Sequence, residues 1–449
     1  MLYYSTNLKA KKVTFRQALL QGLAEDRGLY MPESIPTFTW AEIEAMKGMS
    51  YPEIAFTVGN KFLSDEIPAA ELKRLVEDAY DYEVPLEKVK GKHYLMRLDQ
   101  GPTASFKDFA ARLMGRLMQY YLALENRKLL ILTATSGDTG SAIANAFYGL
   151  DKIKVVVLFP EQEVTPRQRK QMTTLGKNVS VISIDGKFDD CQALVKQAFS
   201  DPELAYLGMS SANSINIGRL IPQTMYYFYA YAKLAQEASE KVVFSVPSGN
   251  FGDLMGGLIA MRMGLPVHRF VVATNENDEF PLYVKTGTYK VISPSRNCIS
   301  SAMNVGHPSN VARLITLYGG EMDETGKIIK QADLERIRRD IYAISITDQE
   351  TEQTIHDTYM ATKTLLEPHG AVGWAGLQNY LKDFPEEENR LCISLETAHP
   401  AKFPEKITEI LSLDPVLPPS LQGLDDKEEY IIPLQNNYPA FHKFLKENY

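Results

Sequence analysis

Hydrophobic and polar positions along this chain follow two periods in turn. In the first ninety or so residues, apolar side chains recur at helical spacing over 13–26, 51–63 and 68–82, with turns rich in proline and glycine between them. A helical N-terminal domain is the expectation. From Tyr94 the pattern changes, and short apolar runs alternate with amphipathic stretches. Strands are predicted over 129–133, 153–159, 179–184, 242–246, 270–274 and 391–395, and helices over 106–124, 141–148, 165–175, 188–199 and 254–263. Strands that alternate with helices build parallel sheets covered on both faces, so the predicted class is α/β with two parallel-sheet-rich domains. After Pro404 the chain is rich in proline and charge, and a tail packing on the surface is expected.

Composition narrows the function classes. Hydrophobic residues make up 45% of the 449 positions and charged residues 23%, which suits a large buried core. A formal net charge of -8 points away from nucleic acid and from membrane surfaces, so any bound anion must be met by local donors. The three cysteines, Cys191, Cys298 and Cys392, form no CxxC pair and suggest neither a metal site nor a disulfide framework. Residues 1–12 are polar and basic, without the apolar stretch of a signal peptide, and no window has the length of a membrane span. A cytoplasmic protein is expected.

Three segments carry candidate chemistry. In Gly101-Pro102-Thr103-Ala104-Ser105-Phe106-Lys107-Asp108-Phe109, Ser105 and Asp108 have the spacing of a helix cap, which puts Lys107 in the first turn. The helix dipole disfavours a cation there, and a neutral amine is what Schiff-base chemistry requires. A solvated surface lysine is the competing reading. Thr135-Ser136-Gly137-Asp138-Thr139-Gly140-Ser141 and Pro247-Ser248-Gly249-Asn250-Phe251-Gly252-Asp253 each follow a strand and open a helix. Such turns aim backbone N–H groups at a positive helix end and suit phosphate, although each alone could be an ordinary tight turn. Neither has the Walker or GxGxxG pattern of nucleotide sites. Together with the lysine they suggest two phosphorylated ligands meeting at one amine. Two further polar stretches are candidates: Ser210 to Arg219, which ends in a residue suited to bidentate anion binding, and Glu396 to Pro404, at a strand's carboxyl end.

Nearly the whole chain resembles threonine synthase. The likeness runs from Met1-Leu2-Tyr3-Tyr4-Ser5-Thr6-Asn7, through Glu25-Asp26-Arg27-Gly28-Leu29-Tyr30-Met31-Pro32, to the segment around Thr397. It implies a tryptophan-synthase-β-like fold that uses pyridoxal 5'-phosphate. Residues 93–135 and 230–410 would form the large cofactor domain, 136–229 a small α/β domain, 1–92 the helical N-terminal domain and 411–449 the tail. The run ending in Phe106-Lys107-Asp108 is similar to the family's cofactor-lysine motif. Gly249, Asn250, Phe251, Gly252 and Asp253 resemble its cofactor-phosphate loop, and Thr397 its partner for the pyridine nitrogen. Many relatives in the wider group carry Ser-Gly-Asn-Thr-Gly where this chain has Asp138. Thr135, Ser136, Asp138 and Thr139 are therefore assigned to the substrate side, with Asn213, Ser214, Asn216, Arg219 and Lys402 as candidates for the substrate phosphate. The implied reaction converts O-phospho-L-homoserine and water to L-threonine and phosphate, in a monomer or homodimer. The alternative is a phospholyase or dehydratase built on the same scaffold.

Overall fold

The computed structural model describes residues 1–135, 137–162, 164–237 and 240–449. A six-stranded sheet forms the larger body, in the order Ile341–Ser345, Val267–Thr274, Val242–Pro247, Cys392–Glu396, His93–Arg97, Leu86–Lys90. Its strands run parallel except for the edge hairpin made by the last two. Central strands of this kind are buried on both faces and read as continuous apolar runs. Leu95, Val243, Val271 and Cys392 pack under Trp374, Leu377 and Tyr380 of the helix Pro368–Asp383. On the opposite face the Phe244 ring lies 4.9 Å from Tyr227 and 6.0 Å from Phe270.

A smaller five-stranded sheet is parallel throughout, in the order Ile432–Leu434, Val179–Ile184, Ile153–Pro160, Leu129–Ala134, Met209–Ser210. Two expected boundaries move as a result. Leu129–Ala134 pairs with Ile153–Pro160, so it belongs to the small sheet and not to the 93–135 piece of the large domain. The tail 411–449 does more than cover a surface. Ile432–Leu434 adds an edge strand, and Phe441 and Leu445 are buried with Leu194, Ala198 and Leu204 in the small core.

The N-terminal region is also not purely helical. Leu2–Ser5 pairs antiparallel with Val13–Thr14 and Tyr30–Pro32, and its alternating burial has the two-residue period of a strand. Helices Tyr51–Leu63 and Ala69–Ala79 follow. They brace the helix Lys107–Leu124 close to its start: the Tyr80 hydroxyl donates to the Phe109 carbonyl at 2.8 Å, and the Tyr51 ring lies 5.3 Å from Phe109. Among the described residues, no helix is long and apolar enough to cross a membrane.

Candidate active site

Lys107 is the first residue of its helix, as the sequence predicts, but the cap is built differently. Phe106 is the N-cap and offers no side-chain bond, while Ser105 is held in a bridge to Ala398. Asp108 turns back instead, accepting from the Thr103 N–H at 2.8 Å and the Thr103 hydroxyl at 2.6 Å. Gly101 makes room for that carboxylate, since a Cβ there would lie 2.5 Å from Asp108 Oδ2. Burial, ahead of the helix end, holds the Lys107 amine below its ordinary pKa, with Lys402 and Arg219 acting in the same direction and Asp138 and Asp253 against it. Among the described residues no hydrogen bond or ion pair holds this amine, which lies 4.7 Å from the Phe106 ring centroid.

The turn from Gly249 to Asp253 leaves strand Val242–Pro247 and opens helix Gly252–Arg262. Phe251 takes a left-handed conformation at φ 63°, and its ring packs 4.9 Å from Phe280. Among the described residues, none of the five backbone N–H groups from Gly249 to Asp253 donates to the backbone or side chain of another residue. The Asp253 N–H turns to its own carboxylate, and the four consecutive donors from Gly249 to Gly252 at the start of an eleven-residue helix are the chemistry of a phosphate cradle. They fit the phosphate of pyridoxal phosphate, and Lys107 lies near enough to lower the Asp253 pKa. Burial outweighs it and pushes the Asp253 carboxyl up to about 6.

The other predicted residues separate into two groups. Lys402 and Asp138 are both buried and form an ion pair at 2.6 Å. Lys402 also donates to the Thr103 carbonyl at 3.0 Å, and Gln168 donates to Asp138 at 3.0 Å. Burial opposes ionisation of Asp138, yet Lys402 and Lys107 hold its carboxyl well below the usual range. Arg219 is buried as well. Its pKa is lowered to about 10 by desolvation, and its Nε has no partner. Asn213 accepts from Thr133 at 2.6 Å, and Ser214 sits beside the Gly249 to Asp253 turn because Asn310 Nδ2 reaches both the Ser214 and Asn250 carbonyls.

Two candidates are spent on local structure. Thr135 Oγ1 accepts from the N–H of Gly137 and of Gly140, closing its own turn. Asn216 caps Gly218 and donates to the Leu19 and Ser211 carbonyls. Their hydroxyl and amide are committed, so neither is free to receive substrate. Thr139 is half-buried at the helix start, and Ser136 lies outside the described residues.

The sequence reading missed Glu367 and His369. Glu367 is buried and caps the helix Pro368–Asp383, and its Oε1 lies 3.5 Å from Thr397 Oγ1. The only signal was Glu367-Pro368-His369, an acid followed by a proline at a helix start, which looks like ordinary punctuation.

Three family models cover this chain in sequence: Threonine synthase N terminus over residues 2–80, Pyridoxal-phosphate dependent enzyme over 82–395, and Threonine synthase, C-terminal over 370–445. A threonine synthase from Haemophilus influenzae is 40% identical over 99% of both chains. The chain belongs to the threonine synthase family. The threonine synthase of Escherichia coli strain K12 is 39% identical over 100% of this chain and 99% of its own. The pyridoxal-phosphate-bound threonine synthase structure from Brucella melitensis superposes with a TM-score of 0.93 at 36% identity, covering 100% of this chain and 99% of that one. This threonine synthase family member is a pyridoxal-phosphate-dependent enzyme acting on a small molecule, and its fold is that of the family.

Proposed function

We propose that this enzyme converts O-phospho-L-homoserine and water to L-threonine and phosphate, the last step of threonine biosynthesis, by elimination at the γ-carbon and addition of water at the β-carbon. The observation that carries the reading is the grouping of one unpaired, burial-depressed amine with the free N–H groups of Gly249 to Gly252 and with the buried guanidinium of Arg219.

The Gly249 to Asp253 turn would hold the cofactor phosphate, Thr397 would face the ring nitrogen, and Lys107 would hold the aldehyde carbon. Bound there, pyridoxal phosphate supplies an electron sink for charge developing at the substrate's α-carbon. Lys107 then serves as the proton carrier, since a neutral amine can take a proton from one carbon and return it to a neighbour. Arg219, with Asn213 and Ser214, would receive the substrate phosphate and stabilise its charge as it leaves. The Lys402–Asp138 pair and Thr139 line the same side. Among the described residues Cys191, Cys298 and Cys392 are buried and form no disulfide, which fits a reducing cytoplasm, and we read the working form as a monomer or homodimer.

Incubating the purified holoenzyme with O-phospho-L-homoserine tests this directly. Threonine and phosphate should appear in equal amounts, and Lys107→Ala should lose both turnover and the visible absorbance of the bound cofactor. Ammonia and a keto acid as products would instead establish the phospholyase or dehydratase chemistry.

A further inference from the structure

A chain of buried polar contacts stands behind Thr397. Glu367 Oε2 accepts from the His369 N–H at 2.7 Å and lies 2.5 Å from His369 Nδ1. Its Oε1 accepts from the Gly370 N–H at 2.8 Å and is the only acceptor, among the described residues, for the Thr397 hydroxyl. His369 Nε2 accepts from the Ala302 N–H at 3.0 Å, so the ring proton is on Nδ1 and the imidazole is neutral. Two main-chain donors and an imidazole N–H converge on Glu367, the environment of an ionised carboxylate.

An ionised carboxylate has no proton to give. The hydrogen between it and Thr397 would therefore belong to the threonine, turned toward Glu367 across a long contact of 3.5 Å. A hydroxyl whose proton is engaged on one side offers only lone pairs on the other.

The surrounding charge favours the same arrangement. Glu396 and Asp99 are buried and face one guanidinium, Arg97, which lies 3.6 Å from Glu396 and 3.9 Å from Asp99 and also pairs with Glu87, while buried Glu367 crowds both carboxyls. Glu396 Oε2 and Asp99 Oδ2 have no partner. Burial and crowding by Glu367 push Glu396 well above the carboxylate range, and burial takes Asp99 up to about 6. His399 is kept neutral by burial and by Arg97, down at about 4, and supplies no positive charge.

We propose that Glu367 is a positioning residue: it draws the Thr397 hydroxyl proton to itself, so that Thr397 presents a lone pair to the ring nitrogen of pyridoxal phosphate and that nitrogen carries a proton. A neutral hydroxyl thereby acts as a carboxylate would, through one intervening oxygen, and the ring becomes a stronger electron sink. The inference rests on Thr397 facing the ring nitrogen.

The test is the ¹⁵N resonance of holoenzyme reconstituted with pyridoxal phosphate labelled at the ring nitrogen. The wild type should show a pyridinium-type resonance. Glu367→Gln, with the cofactor still bound, and Thr397→Val should both move it toward free pyridine, while Thr397→Ser should leave it in place. A pyridine-type resonance in the wild type overturns the proposal. So does a shift in Thr397→Val with none in Glu367→Gln. A resonance unmoved by either variant removes Thr397 from the ring nitrogen, so that the pocket assignment fails and not the relay alone. If Glu367→Gln does not fold, the wild-type resonance and the two Thr397 variants still decide.

Discussion

Asp138 and Lys402 lie 264 residues apart in the chain and meet at 2.6 Å in a buried place near the Lys107 amine. Each makes the other tolerable there, since a lone buried charge is far more expensive than a pair. Lys402→Met should therefore cost about 3–5 kcal/mol in denaturant unfolding, while the double variant with Asp138→Asn should cost less, because no charge is left stranded. The pH dependence has a definite sign. The folded pKa of Asp138 lies below its ordinary 3.8, so its contribution is complete above that pH and is lost as pH falls below it. Stability of the wild type should accordingly drop faster on acidification through that range than stability of the double variant. The sequence showed both residues as site candidates but offered no reason to join them. Asp138 opens a helix after a strand of the small sheet and Lys402 follows a strand of the large one, and no local pattern encodes their meeting.

At the scale of elements, what could be read depended on how local the cause was. The turns around Lys107 and Gly249 were legible because glycine, strand exit and helix start fall within a few residues. Leu2–Ser5 and Ile432–Leu434 were not, since strands of four and three residues show too few alternations, and both owe their form to distant partners. The Ser105 cap failed because Asp108 found a better donor pair in Thr103. Glu367 escaped notice because its importance comes from Thr397, thirty residues away. The Gly249 to Asp253 turn, the proposed cofactor cradle, also depends on the seating of its helix, and two glycines separate that effect from ordinary destabilisation. A Cβ at Gly256 would lie 2.5 Å from the Gln223 carbonyl oxygen, a backbone atom that cannot rotate aside. Gly256→Ala should push helix Gly252–Arg262 outward, costing about 1–3 kcal/mol and weakening cofactor retention. Gly149 has φ 77° and open space around its Cβ position, so Gly149→Ala should cost about 1 kcal/mol of backbone strain with retention unchanged. Equilibrium dialysis of the cofactor alongside thermal unfolding distinguishes the two.

For the whole molecule, the question is what holds the small sheet to the large one around the cleft. Gln171 Nε2 donates to the Thr103 carbonyl at 3.0 Å, Arg167 donates to the Ala401 carbonyl, and Lys402 reaches Asp138, so three contacts span the two bodies beside Lys107. The returning C-terminal chain makes a fourth connection. Arg169 forms two bonds of 2.9 Å with Glu429, Thr173 donates to the same carboxylate at 2.7 Å, and Ile432–Leu434 then extends the small sheet. Phe441 is fully buried under the helix Phe188–Ser200, among Leu194, Val195 and Ala198. The C-terminal residues therefore complete the small core, and their loss is felt in folding before it is felt in chemistry. Phe441→Ala should destabilise the enzyme by about 3–5 kcal/mol in urea titration, the cost of a cavity where a large buried ring stood. KM for O-phospho-L-homoserine, measured below the unfolding transition, should stay near the wild-type value, since no site residue touches that ring. A loss under about 0.5 kcal/mol, the usual effect of a surface substitution, would mean that the tail only lies on the small domain.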